Sequence, residues 1–554
     1  MNSSKILSNA LILSIAVVIA KIIDFLYIVP LYHIIGNKGG ALYGYAYVIY
    51  TIFMSFLSLP VVFSISKTTS SYQALGYNNV KKRSFLLAKY IFVGLGAISF
   101  IFTFLLAPVF ARMIIGDITG GNSFNDITLV IRMVSISFLI IPLLSVYRGY
   151  FDGHRITNMA SVSNSIELIA RALISIILSL LANKVFRLPL VWVSCFALIG
   201  VFLGPLCSYI YLFVKLRINK NKFNTKIRKV VEPLVSSKTI VKKIMFYMSF
   251  LVISDLIRAL YGFIDIVTVV KSLVKYAHFS VSDAEGVIGM ITIWTNKFNC
   301  MLVAIAIEIF NSLADGLSKS ITNNDKKDIN YRINQALSLL LIVIVPIAFI
   351  VSFLSVPIWK MLFGVDKYGP SVLSYSIFLG LIMAVSTMIF SILRSFKDRK
   401  VVLYSLGIGL LLKMLLNTSL INAFYKMGLP AYYGSITASI IGYLISTIIC
   451  FIILYIKYNV NFELFIKSLI DTFCVVLAIF VILFVIKLVV PINNSSFIVN
   501  LIVTLFYLLI YFILYFLLAK RFKLFKSVST KSRWCYAFLC IIKGDSYVSL
   551  IFIF

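Results

Sequence analysis

The chain has 554 residues, of which 61% are hydrophobic and only 13% are charged, a composition that excludes a water-soluble domain of this size. Its formal net charge of +32 falls mainly in alternate loops between apolar runs, and this distribution excludes nucleic acid as the reason for the charge. The sequence predicts an all-α polytopic membrane protein, because each apolar run is long enough to cross a ~30 Å hydrocarbon core as a helix.

Fourteen apolar segments are predicted to be membrane-spanning helices. They cover residues 6–33, 42–66, 84–110, 127–147, 158–182, 188–214, 244–272, 286–312, 333–356, 370–393, 401–424, 431–457, 464–490 and 497–519. The predicted domains are an N-lobe of six helices (1–214), a basic cytoplasmic linker (215–243), a C-lobe of six helices (244–457), two extra helices (458–519) and a basic cytoplasmic tail with an apolar end (520–554). The first apolar run lacks a cleavage signal, so we expect it to be retained.

Basic residues recur in every second loop of this layout. The linker 215–243 holds ten Lys or Arg against Glu232 alone, and Lys81-Lys82-Arg83 belongs to the same set. The positive-inside rule places this set and both termini in the cytoplasm of a multi-pass plasma-membrane protein. It also predicts anionic inner-leaflet lipids as partners, and no nucleic acid.

Two stretches of the chain resemble each other at an offset of 246 residues. Arg148 matches Arg394, and Glu167 matches Lys413. Such a repeat predicts two six-helix lobes that cross in the same direction, related by a pseudo-twofold axis along the membrane normal. In this register the lobes carry opposite charges at equivalent depth, and we expect Glu167 and Lys413 to form an interlobe latch.

The layout narrows the functional class. Two six-helix lobes around a central cavity are typical of alternating-access transporters. The chain has no G-x-x-x-x-G-K-[ST] phosphate loop and no long outer loop for catalytic acids, so it is not expected to be an enzyme. Its seven cysteines form no C-x-x-C pair, and we expect neither a metal nor a cofactor. A non-transporting scaffold that recruits cell-wall synthesis proteins through the basic loops is an alternative.

Ionisable residues inside the apolar runs are the candidate functional residues. Each costs ~2.5–3.5 kcal/mol at the bilayer centre unless it is paired or hydrated. The candidate substrate-pathway residues are Lys21, Asp24, Glu167, Arg171, Asp255, Arg258, Asp265, Lys297 and Lys413.

Spacing leaves two interpretations of these charges open. Lys21 with Asp24, and Glu167 with Arg171, place opposite charges on one helix face, as do the acids and Arg258 of the seventh span. They are either internal ion pairs or the lining of a wet cavity. An excess of cations in such a cavity suits an anionic substrate such as a pyrophosphate head group. An inside-negative membrane potential favours its outward movement, and coupling to Na⁺ or H⁺ is a further expectation.

Aromatic residues mark the start of the second span. Tyr43, Tyr45, Tyr47 and Tyr50 are expected to anchor this helix at the interface, with sugar stacking as the alternative.

Several motifs resemble a known family. They are Lys21…Phe25-Leu26-Tyr27…Pro30-Leu31…Gly36…Gly39…Leu42-Tyr43-Gly44-Tyr45-Ala46-Tyr47…Tyr50, then Arg148-Gly149-Tyr150-Phe151…Gly153-His154, Ile264-Asp265, Met361-Leu362-Phe363-Gly364 and Lys413…Asn417. Over roughly residues 8–457 the chain is similar to the SpoVB/MurJ-type flippases of the multidrug/oligosaccharidyl-lipid/polysaccharide (MOP) exporter superfamily.

The resemblance implies a fourteen-helix flippase for undecaprenyl-linked oligosaccharide, in particular the peptidoglycan precursor lipid II. It also implies that the two extra helices form a groove for the lipid tail. The chain departs from the family where Ile28 replaces an arginine and Asp24 a glycine. An ion-coupled multidrug antiporter of the same superfamily and a flippase for a different polysaccharide unit remain alternatives.

Overall fold

A computed structural model describes residues 19–116, 118–218, 232–489, 497–522 and 524. Across these ranges the regular secondary structure is helical, which confirms the predicted all-α class. Within the described ranges, twelve helical segments are long and apolar enough to cross a membrane, so the chain is a multi-pass membrane protein.

Packing divides the chain into two compact units, Met1–Thr292 and Ile293–Phe554. The first contains a helical stretch at 19–26 and helices α1 Ile28–Leu57, α2 Leu59–Ala74, α3 Asn78–Ile115, α4 Phe124–Ser135, α5 Ile141–Gly153, α6 Thr157–Leu180, α7 Leu190–Ile218, α8 Ser237–Ala277 and α9 Val281–Gly289. The second contains α10 Thr295–Thr322, α11 Lys326–Phe353, α12 Ser355–Phe363, α13 Gly369–Ser395, α14 Arg399–Lys426, α15 Tyr433–Tyr458, α16 Glu463–Val489 and α17 Phe497–Arg521.

The difference between fourteen predicted spans and twelve candidates arises at two places. The first two predicted spans form one helical run, Ile19–Ala74, although a loop was expected near residues 33–41. That run bends at Gly36 (φ 62°, ψ −166°), a left-handed conformation that glycine adopts without a Cβ clash. The seventh predicted span lies within α8, which is helical over 41 residues and is not among the twelve. Residues 6–18 of the first predicted span lie outside the described residues.

Helix α8 belongs to the first compact unit by its packing. It contacts α1, α2 and α3, whereas the sequence repeat assigns it to the C-lobe. Packing and sequence repetition are different criteria, so the predicted lobe boundaries stay a prediction. Most of the basic linker, residues 219–231, lies outside the described residues.

The two extra helices are part of the second unit, where α16 and α17 pack against α11 around an apolar cluster. Pro346 inside α11 has no N–H, so the carbonyl of Ile342 loses its helical hydrogen bond. The hydroxyl of Tyr515 on α17 donates to that carbonyl at 2.7 Å, and Tyr511 donates to the carbonyl of Pro346 at 2.9 Å. The bond from Tyr515 replaces the helical hydrogen bond that Ile342 loses, so this carbonyl is paired beside the apolar cluster.

Two helical hairpins repeat, one in each unit. Helices α6 and α7 form the first, and α14 and α15 form the second. The hydroxyls of Ser163 and Ser208 join the first pair at 2.6 Å, and Ser405 contacts the thiol of Cys450 in the second at 3.2 Å. Both members of the second bond lie 242 residues after their counterparts in the first.

Candidate functional site

The first ion pair of the site joins the buried Arg171 on α6 to the partly buried Asp24 on the 19–26 stretch. The guanidinium Nη2 lies 2.6 Å from the carboxylate Oδ1, with side chains 10% and 23% exposed. Tyr27, Tyr47 and Glu167 are electrostatic neighbours of the guanidinium. The sequence suggested ion pairs within single helices, whereas this one ties the start of the chain to α6.

Glu167, the other charged residue of α6, pairs with Arg148. The two groups lie 2.7 Å apart, and the side chains are 11% and 15% exposed. The hydroxyls of Ser163 and Ser208 accept hydrogen bonds from Arg148 at 3.1 and 3.0 Å. Arg148 lies one residue beyond the predicted span 127–147 and was not among the candidate residues. In the structure it lies on α5, and its side chain reaches this inter-helix contact.

Two glycines allow α7 to pack closely on the helix that carries these charges. Gly200 and Gly204 form a G-x-x-x-G spacing, which brings membrane helices together in many proteins. A Cβ at Gly204 would lie 2.8 Å from the Cβ of Arg171. A Cβ at Gly200 would clash with the hydroxyl of Ser175. The backbone of α6 is therefore positioned by the absence of side chains on α7.

The tyrosines of α1 are buried among helices. Tyr43, Tyr45 and Tyr50 are at most 3% exposed, so the expectation that they anchor the helix at the membrane interface is wrong. The rings of Tyr43 and Tyr47 stack at 6.0 Å, and Tyr47 contacts Tyr50 at 5.5 Å. They form an aromatic wall along α1.

The charged stripe on α8 also belongs to the first unit. Arg258 and Asp255 lie 3.8 Å apart as an i,i+3 pair, as their spacing suggested, and both are about a quarter to a third exposed. Asp265, two turns further, is buried. Gly262 between them faces Val48 of α1, so α1 covers part of this stripe. Lys21 is exposed on the 19–26 stretch.

The candidate cations of the second unit lie on two helices. Lys297 is half-buried near the start of α10. Lys413 on α14 is fully buried, and its ammonium donates a short hydrogen bond to Ser439 on α15. Asn417, one turn further along α14, is also fully buried.

The structure changes the register of the internal repeat. The helix ends at Gly153 and Ser395 are 242 residues apart, and the serine pair of the first hairpin is related by the same offset to Ser405 and Cys450. In this register Lys413 corresponds to Arg171, one helical turn from the predicted partner Glu167. Each repeat therefore carries a buried cation at this position, and the opposite charges on which the predicted latch depended do not occupy equivalent positions.

A buried carboxylate that lies outside the predicted spans is found in the middle of α9. Glu285 is 1% exposed, and its Oε2 accepts hydrogen bonds from the backbone and the side-chain amide of Asn122, both at 2.9 Å. Asn122 also donates to the carbonyl of Lys38 at 3.2 Å. Glu285 lies in a predicted loop, one residue before the span 286–312. Its position next to an apolar run was the one feature of the sequence that could have suggested burial.

The basic turn at the start of α3 is also more buried than a solvated loop. Lys81 is fully buried. Beside it, His154 ends α5, and burial lowers the pKa of this imidazole to about 4, with nearby Lys81 acting in the same direction. The carboxylate of Glu232 accepts hydrogen bonds from the backbone N–H groups of Asn79 and Val80 at 2.9–3.1 Å. Glu232 thus caps α3 and fastens the end of the linker to it.

The environment of Arg171 suits binding of an anion. A guanidinium in a water-poor environment forms strong, directed hydrogen bonds to phosphate oxygens, and Arg171 already holds a carboxylate. Within the described ranges, no three His, Cys, Asp or Glu side chains cluster as metal ligands.

The sequence matches the description "Polysaccharide biosynthesis protein" over residues 6–304, more than half of the chain. The chain belongs to the polysaccharide biosynthesis protein family. Residues 291–418 match the MatE family. These matches, with the relatives below, identify the protein as a flippase of the MOP superfamily.

Two curated relatives of this polysaccharide biosynthesis family member come from Bacillus subtilis. The lipid II flippase MurJ is 28% identical over 454 residues, which are 80% of this chain and 81% of that protein. Stage V sporulation protein B is 25% identical, over 61% of this chain and 62% of that protein.

Solved structures show the same fold. A lipid II flippase MurJ in an inward closed conformation matches with a TM-score of 0.61 and 15% identity, over 92% of this chain and 98% of that one. An inward-facing MATE-family multidrug resistance transporter matches with a TM-score of 0.63 and 10% identity, over 79% and 94%. The predicted MOP architecture is therefore confirmed.

Proposed function

We propose that this flippase moves an undecaprenyl-linked oligosaccharide, specifically lipid II, from the inner to the outer leaflet of the bacterial plasma membrane. The buried cation at the equivalent position of each repeat, Arg171 and Lys413, is the observation that carries the proposal. The similarity to the lipid II flippase MurJ over four fifths of the chain supports it.

In this proposal the pyrophosphate of the substrate exchanges with protein carboxylates. Lys21, Arg171, Arg258, Lys297 and Lys413 hold the head group, and Asp24, Glu167, Asp255 and Asp265 neutralise the cations when no substrate is bound. Arg171 releases Asp24 when a phosphate oxygen takes the place of its carboxylate, because one guanidinium edge serves either anion. Rocking of two lobes then exposes the head group to the other side.

The test is reconstitution in liposomes with labelled lipid II, measuring exposure of the label on the outer surface. Wild-type protein should expose lipid II, whereas Arg258→Ala and Lys413→Ala should abolish exposure while protein levels hold. Lys238→Ala and Lys426→Ala, which remove exposed lysines from the same two helices, are the matched controls. Normal complementation of a flippase-depleted strain by both Arg258→Ala and Lys413→Ala would overturn the assignment of these residues.

The MatE match and the MATE-like fold favour one second candidate, an ion-coupled multidrug antiporter. Asp24 would then bind the coupling cation. Drug efflux from cells, with no lipid II exposure above that of empty liposomes, would select this candidate. A flippase for another polysaccharide unit would instead expose its own glycolipid in the same assay.

The driving force is part of the proposal. A membrane potential, negative inside, contributes ~2.3 kcal/mol per charge per 100 mV to outward movement of a negative head group, and Na⁺ or H⁺ can couple to it. Clamping the potential at zero with a potassium ionophore should slow exposure of lipid II, and a rate independent of potential and ion gradients would rule this driving force out.

A further inference from the structure

A groove lies where α15 ends and α16 begins, away from the charged residues assigned to transport. Its volume is about 640 Å³, within the usual range of small-ligand sites. Its apolar walls include Tyr455, Phe462 and Ile466, and its charged residues are Glu463, Lys467 and Asp471. The proposed function uses none of these side chains.

The three charged residues follow one another at four-residue spacing along α16. They therefore share one face of the first two turns, with the cation between two acids. The described ion pairs do not include one between Lys467 and either acid, although both lie one turn away. On this face Lys467 can donate hydrogen bonds to a phosphate. Glu463 and Asp471, on either side of it, can accept hydrogen bonds from an ammonium group.

An apolar track continues from the groove along the same helix. Ile466, Ile470, Leu477, Val481 and Phe484 recur at intervals of three, four and seven residues, and each is more than half exposed. That periodicity forms a stripe along one side of α16. A ligand that matches both parts has a small zwitterionic head and long acyl chains.

We propose that this groove binds a phospholipid with a primary amine in its head group, as a resident lipid and not as transported cargo. The phosphate lies on Lys467, the ammonium lies beside one of the two acids that are each one turn from it, Glu463 or Asp471, and an acyl chain follows the track on α16. Tyr455 closes the other wall. The positive-inside rule places this end of α16 at the cytoplasmic interface, where such head groups lie.

Native mass spectrometry of the full-length protein tests the site. The protein is purified in mild detergent and equilibrated with equimolar phosphatidylethanolamine, phosphatidylcholine and phosphatidylglycerol that share the same acyl chains. We expect wild-type protein to retain phosphatidylethanolamine about tenfold over the others, the factor that one charge-assisted hydrogen bond contributes. Retention of the three lipids in the ratio supplied would show non-selective annular lipid and overturn the proposal.

Three variants separate the contacts. Lys467→Ala should reduce retention of phosphatidylethanolamine itself, whereas Glu463→Gln with Asp471→Asn should keep bound phospholipid and lose the preference for the amine. Lys487→Ala removes a lysine from the far end of the same helix and should retain the wild-type preference. A preference that survives the double amide variant would exclude the acidic residues as the amine site. These readouts do not depend on lipid II, so they remain interpretable if the transport proposal fails.

Discussion

Two ion pairs on α6 illustrate how a membrane protein keeps charges in its interior. Asp24 with Arg171, and Glu167 with Arg148, pair residues that are far apart in sequence. The four-residue spacing of Glu167 and Arg171 suggested that they pair with each other. In the structure Glu167 instead pairs with Arg148, and Arg171 pairs with Asp24. Which pairs form depends on helix packing, and sequence spacing alone does not contain that information.

Removing one partner of the Asp24–Arg171 pair should destabilise the protein strongly. Asp24→Ala leaves the buried guanidinium of Arg171 without this partner, at an expected loss of about 3–5 kcal/mol in the free energy of unfolding, and Arg171→Ala leaves the more exposed Asp24 carboxylate without it, at a smaller loss. The double variant should lose less than the sum of the two, which thermal unfolding in detergent can measure. The same cycle on the more exposed pair Asp255 and Arg258 is the control, with coupling below about 1 kcal/mol. Additive losses at Asp24 and Arg171 would show that the pair has no net coupling.

His154 should make stability depend on pH. The folded protein has a pKa of about 4 at this imidazole against 6.5 for an exposed histidine, so only the unfolded chain binds the proton between these values. Stability is therefore expected to fall as pH is lowered from 6.5 to 4, by at most about 3 kcal/mol from this group.

The measurement is the unfolding midpoint of the purified protein from pH 7 to pH 4.5. His154→Gln should reduce the slope, while His278→Asn, at the end of α8, provides a comparison for removal of a histidine at a helix end. An unchanged slope in His154→Gln would assign the pH response to other groups.

For single helices, the length of each apolar run was enough to predict that a helix is present. It was not enough to predict where a helix is interrupted. A glycine at position 36 is compatible with a break in the helix. The sequence did not predict, however, that the chain would be helical on both sides of that break. Glu232 stood out as the one acid of a basic linker, yet its role as the cap of α3 needed the structure. A capping residue 153 positions away in the sequence cannot be recognised from the residues next to the helix.

Because α6 and α7 pack closely, we expect a larger side chain at their contact to destabilise the protein. Gly204→Ala introduces a Cβ 2.8 Å from Arg171 and should cost about 1–3 kcal/mol, because the helices must separate or distort. Gly407→Ala on α14 is the matched control, since a Cβ there meets nothing within 4 Å and gains up to about 1 kcal/mol of helix propensity. Unfolding midpoints of both variants, measured in one detergent, give the comparison. Equal effects would mean that the α6–α7 contact adapts freely.

For the whole molecule, composition and loop charge were sufficient to predict a multi-pass helical protein, and the repeat predicted two related halves. The offset was wrong by one turn, because matching Arg148 to Arg394 aligned similar letters and not equivalent helix positions. The hydrogen-bonded hairpins gave the register of 242. This correction decides which residue of the first repeat corresponds to Lys413, and with it the charge at that position.

We expect the loop before α4 to face the outside of the cell and the start of α14 to face the cytoplasm. In a variant without its seven cysteines, Thr119→Cys in the loop before α4 should react with an impermeant maleimide added to intact cells. Lys400→Cys at the start of α14 should react only after the membrane is permeabilised. Both residues are exposed, so access and not burial decides the outcome. The reverse pattern would invert the topology.

The equivalence of Arg171 and Lys413 also bears on how such a chain originates. Two hairpins at a constant offset are what a gene duplication leaves behind, and a half-length ancestor would have assembled as a symmetric dimer with one basic residue presented twice. After fusion the copies were free to diverge, one toward a guanidinium paired with Asp24 and the other toward an ammonium held by Ser439. Because the two copies lie in one chain, each has its own cation and its own partner, which two identical subunits of a symmetric dimer could not have.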